Sequence, residues 1–175
     1  MRDELAKQVA EQGDDDLIRQ ILAELCDVTH MGFAAVACVT EERWIACQVE
    51  DRIEFGLDPG DELNIKETIC NDIRQCGQAI IIDEVGIHPM WRNHPVPMLY
   101  GFESYVSLPI ILDDGSFYGT LCAIDPEPRA LSAQRMVDTL MEYAERVARI
   151  LSAKIVPLAN LSVDARPATG ISIAD

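Results

Sequence analysis

Basic residues are scarce in this chain: 14 Lys and Arg stand against 30 Asp and Glu, a formal charge of −16. Phosphate backbones and anionic membranes are held by clustered Lys and Arg, so neither nucleic acid nor a membrane surface is an expected partner. Long apolar runs are missing too. The longest, 33–39 and 106–112, fall far short of the ~20 residues that cross a bilayer. The opening MRDELAKQVAEQ has charges every few positions and no apolar stretch of the secretory kind, which makes the cytoplasm the expected compartment. None of the six cysteines forms a CxxC pair, so neither a disulfide framework nor a zinc site is expected, and most should be small buried hydrophobes. No Ser-His-Asp order, phosphate-cradling glycine loop or paired-carboxylate motif stands out, and nothing in the residues demands catalysis.

What is present is the material of one well-cored domain. The chain has 175 residues, 49% of them hydrophobic. Leu17, Ile18, Ile21, Leu22, Leu25 and Val28 recur at helical spacing behind an acidic cap, Asp14-Asp15-Asp16. Upstream, Leu5 and Val9 suggest a frayed or partner-dependent extension of that helix rather than a core element. Two strand-like runs, 33–39 and 43–49, flank the polar Thr40-Glu41-Glu42 and read as an antiparallel hairpin. A helix is expected over 65–76, stopped by Gly77, then a short, fully buried strand over 79–83.

From Glu84 to Phe102 the pattern fails. His88-Pro89, His94-Pro95 and Val96-Pro97 forbid a long helix, because a residue before proline avoids the α region; this segment is the expected ligand lid. A second hairpin, 104–112 with 116–125, turns at Asp113-Asp114-Gly115, where Asp-Gly suits a tight primed turn. A last helix over 132–155, capped by Ser132, carries Val137, Leu140, Ala144, Val147 and Leu151 at alternating spacings of three and four, with Met136, Met141, Ala148 and Ile150 beside them. Such a wide apolar surface can serve its own domain on one side and a twin helix on the other, so a homodimer through the terminal helices is expected.

The fold class is therefore α+β, an α/β sandwich: a central antiparallel sheet of five or six strands, with helices packed on it and long helices at both ends. The expected divisions are a helical extension at 1–13, the domain at 14–155 and a tail or linker at 156–175.

The segments 78–84 (QAIIIDE), 100–110 (YGFESYVSLPI) and 117–125 (FYGTLCAID), in this order of elements, resemble the GAF family of bacterial sensor kinases, cyclases and photoreceptors. The resemblance implies a GAF/PAS-like fold and a non-catalytic sensory or regulatory module of a signalling protein, such as a two-component sensor histidine kinase. Its small ligand would sit between the sheet and the irregular segment, and terminal helices would carry the response. By position, the family's site would be lined by Cys70, Arg74, Trp91, Arg92, His94, Tyr100, Tyr105 and Ser107. The resemblance names neither ligand nor cofactor.

Sharper family chemistries fare differently. Phytochrome-like members attach a bilin through a cysteine directly before a histidine; here Asn93 precedes His94, which leaves only a noncovalent photoreceptor open. Free methionine sulfoxide reductases need two converging thiols. Cys70 resembles one of them in placement, but 87–91 carries no second, so a redox or metal-dependent enzyme built on Cys70 stands as the alternative. The Phe-Asp-Glu of cyclic-nucleotide-binding members is absent. His88 and His94 flank Trp91 near Asp83 and Glu84, but loop histidines before prolines are usually structural, and no metal site is expected.

Overall fold

Side chains alternate across a strand, and here that alternation divides the apolar residues into two separate cores. The computed structural model describes residues 2–164. Six strands, β1 (Phe33–Val39), β2 (Trp44–Asp51), β3 (Glu62–Leu63), β4 (Ile80–Ile82), β5 (Ser104–Ile111) and β6 (Phe117–Asp125), form one antiparallel sheet in the order β3-β2-β1-β6-β5-β4. On one face, Ala34 and Val36 of β1, Val106, Leu108 and Ile110 of β5, and Leu121 and Ala123 of β6 pack with the three longer helices. These are α1 (Glu4–Gln12), α2 (Asp16–Thr29) and α5 (Gln134–Asp164). On the other, Ala35, Ala37, Tyr105, Cys122 and Ile124 pack with two short helices, α3 (Cys70–Cys76) and α4 (Pro95–Tyr100), and the loops around them. The chain is thus the expected α+β sandwich.

Local chemistry sets the helix ends. Asp15 caps α2, its side chain accepting the Leu17 and Ile18 backbone N–H groups. Gly77 closes α3 with φ of 70°, a left-handed conformation that glycine adopts without strain. Gly119 sits in the middle of β6 because a Cβ there would collide with the Ala37 carbonyl of β1.

Several sequence expectations are corrected. The N-terminal segment is no frayed extension of α2: it is a separate helix, α1, with Asp3 as its N-cap and Ala6 and Val9 buried in the core. The chain breaks at Gly13, which packs against Cys47 too closely for a side chain, so α1 folds back across β2 instead of continuing α2. The helix expected over 65–76 is interrupted: a 3-10 turn, Ile65–Glu67, ends at the extended Thr68 before α3 begins. β4 is a half-buried edge strand rather than a buried one, since only β5 pairs with it. In the Asp113-Asp114-Gly115 turn only Gly115 has positive φ, at 87°, and its N–H bonds the Leu112 carbonyl at 2.8 Å. Either primed turn needs positive φ at Asp113, the residue after Leu112, so the turn is a type I turn closed by a glycine bulge. Ser132 does not cap α5; its hydroxyl donates to the Asp83 carboxylate at 2.7 Å, while that carboxylate also accepts the Leu131 N–H.

The apolar stripe of α5 belongs to its own domain. Leu140, Val147 and Leu151 are fully buried, and Met136, Met141 and Ile150 pack partly buried against the same core. α5 continues to Asp164, across part of the expected tail; residues 165–175 lie outside the described ones.

Candidate functional site

Beneath the proline-broken segment the second core is incompletely filled. A cavity of about 50 Å³ lies between the sheet and α3–α4, walled by apolar side chains including Phe33, Trp44, Phe102 and Ile124. Phe55, Leu57, Leu63, Tyr100, Phe102 and Ile124 also line an open groove of about 500 Å³ that runs to Glu54 and Asp125. The cavity is therefore the floor of a wider groove, whose volume falls within the range of small-molecule sites. One buried polar group in this largely apolar wall lacks a partner among the described residues. Trp44, 2% exposed, lines the cavity, and its indole Nε1–H has no acceptor among the described residues. Leaving a buried donor unpaired costs about 1–3 kcal/mol, which a guest carrying an acceptor would recover.

The cavity floor also holds two thiols. Cys70, the first residue of α3, is aimed at the sheet, and its Sγ receives a hydrogen bond from Thr120 Oγ1 at 3.2 Å. The Tyr105 and Ser107 hydroxyls lie 3.6 Å from the same sulfur. Cys122 on β6 lines the same cavity beside Cys70, and its thiol donates to the Ala35 carbonyl at 3.6 Å. Cys122 pairs with Ser107 in the β5–β6 register, which brings it to the Cys70 side of the sheet. The neighbouring Cys122 thiol, with the hydroxyls of Thr120, Tyr105 and Ser107, holds Cys70 below the ordinary thiol value, although burial opposes this. Cys122 is pushed up, first by Cys70 beside it and then by burial.

Of the eight residues expected to line a site, Cys70, Tyr100 and Tyr105 wall the cavity, and Ser107 touches it through Cys70. Trp91 is buried in the same layer but fills space there, its ring 4.9 Å from that of His94. Arg74, Arg92 and His94 stand outside the wall. His94 caps α4, its Nδ1 accepting the Val96 N–H at 3.2 Å, and His88 Nδ1 accepts the Met90 N–H likewise. Among the described residues no group of three His, Cys, Asp or Glu side chains is placed to hold a metal ion. Cys122, Trp44 and Thr120 were not on the sequence list. Strand alternation alone puts Thr120, Cys122 and Ile124 on one face, but which face meets α3 is set by the crossover.

The family model described as GAF domain matches residues 15–151. The chain belongs to that family. Two curated relatives match this chain over most of its length. The diguanylate cyclase DgcP of Escherichia coli is 32% identical over 148 residues, covering 81% of this chain and 41% of that protein. A cyclic di-GMP phosphodiesterase of Pseudomonas aeruginosa is 28% identical over 169 residues, covering 92% of this chain and 26% of that protein. The chain spans less than half the length of these relatives. Among solved structures, the GAF domain of an Acinetobacter phosphoenolpyruvate-protein phosphotransferase superposes with a TM-score of 0.64 at 10% identity, covering 89% of this chain and 94% of that one. At that identity the likeness is one of fold.

Proposed function

We propose that this GAF domain is a non-catalytic sensory module of a signalling protein that turns over cyclic di-GMP. It binds a small apolar ligand with a hydrogen-bond acceptor in the groove above Trp44. The unpaired indole N–H in the wall of a largely apolar cavity is the observation that carries this reading. The relatives support the regulatory half. They are named for different reactions, a cyclase and a phosphodiesterase, and each matches this chain over a minor part of its length, so the shared part is better suited to input than to either chemistry.

The response travels by a short route. Ile124 lines the cavity and Asp125 follows it at the end of β6, where its carboxylate holds the Gly32 N–H after α2 and the Arg129 guanidinium before α5. A ligand that prefers one placement of this junction biases α2 and α5 together. Pairing of two copies through terminal helices would use exposed side chains such as Leu17 and Val28 of α2, not the buried stripe of α5.

The test is a screen of small molecules by NMR, observing the Trp44 indole N–H. The expected hit shifts that resonance and binds about tenfold more weakly to Trp44→Phe, which keeps an aromatic side chain and removes the donor. Hits that leave the Trp44 signal unmoved and bind the variant equally would overturn the assignment of the site.

A further inference from the structure

Cys70 and Cys122 are distant in sequence and close in space, and both line the same cavity. Cys70 is 3% exposed and Cys122 6%, yet the cavity they line shares part of its wall with the open groove and has room for a few small atoms. Three hydroxyls converge on the Cys70 sulfur, an arrangement that packing alone does not require of a buried cysteine. Cys26 and Cys47 provide the contrast. They are equally buried, and desolvation pushes each thiol up to about 12.

We propose that Cys70 and Cys122 form a redox-active dithiol that hydrogen peroxide converts to a disulfide inside the sensory cavity. This deepens the sensor reading, and rests on it, by naming a chemical class of input. The Cys70 thiolate attacks one peroxide oxygen; an S–O bond forms and the O–O bond breaks. The leaving hydroxide takes up the proton that Cys70 released, and departs as water. Cys122 sulfur then attacks the Cys70 sulfenic acid; the S–S bond forms, the S–O bond breaks, and the hydroxide leaves as water with the Cys122 proton. Two electrons pass from the two sulfurs to the peroxide, and two waters result. The new bond ties the start of α3 to the central strand β6, which leads directly to Asp125 and α5.

The experiment treats the reduced full chain with a stoichiometric amount of hydrogen peroxide, then digests it with trypsin without reductant for mass spectrometry. Cleavage separates Cys70 in peptide 67–74, Cys76 in 75–92 and Cys122 in 93–129. The expected product links 67–74 to 93–129 with loss of both thiols, and it is absent from Cys70→Ser. In Cys122→Ser the reaction stops at a Cys70 sulfenic acid that dimedone captures. Recovery of Cys70 and Cys122 as free thiols while the exposed Cys76 is oxidised would overturn the proposal. Ligand binding at Trp44 is measured separately on the reduced protein, so failure of the thiol chemistry with intact ligand binding refutes the dithiol alone.

Discussion

The Asp125 carboxylate accepts the Gly32 backbone N–H at 2.8 Å, joining the end of β6 to the turn after α2. The same side chain, 2% exposed in its residue, pairs with Arg129 at 2.9 Å and accepts the Glu127 N–H. Replacing it strands a buried donor and a guanidinium together. Asp125→Ala is expected to destabilise the domain by about 2–3 kcal/mol in chemical denaturation. A loss below the error of the measurement would mean that this junction does not hold the two helices.

The stripe on α5 gives a prediction opposite to the one its periodicity suggests. Leu140 is fully buried in the domain's own core, so Leu140→Ala should cost about 2–5 kcal/mol and leave the mass in light scattering unchanged. A change of mass with little loss of stability would place Leu140 in an interface instead.

Gly119 faces the Ala37 carbonyl with no space for a methyl group. Gly119→Ala must part β1 from β6 and is expected to lower stability by about 1–3 kcal/mol, read as a falling melting temperature. An unchanged melting temperature would contradict the close approach of the two strands.

Cys47 supplies a pH dependence. Burial raises its thiol from 9.0 to about 12, so the folded chain keeps the proton after the unfolded chain has lost it. The contribution is complete below pH 9 and is lost as pH rises toward 12; at pH 10 the loss is about 1.4 kcal/mol. Denaturation at neutral and alkaline pH should show it, and Cys47→Ala should flatten this part of the profile. A stability independent of pH over that range would refute the burial of the thiol.

Much of the fold was legible because it rests on periodicity: the hairpins, α2 and the core face of α5 all follow from spacing within one segment. What was hidden depends on contacts between segments. The separate packing of α1 turns on Gly13 meeting Cys47, a fact about two distant positions. The site was half visible. Cys70, Tyr100, Tyr105 and Ser107 were named, but Cys122 was not: 87–91 carries no second thiol, and the one beside Cys70 arrives on β6, three residues before Asp125. Arg92 and His94 looked like ligand contacts because they sit in the irregular segment; prolines there build local caps that use His94 on the backbone.

The most direct measurement is amide hydrogen exchange across α5, residues 134–155, in the presence and absence of a ligand that shifts the Trp44 indole resonance. Transmission from the cavity through Ile124 and Asp125 requires protection in α5 to change when Trp44 reports binding. Binding at Trp44 with an unaltered exchange pattern in both α2 and α5 would contradict the sensory reading.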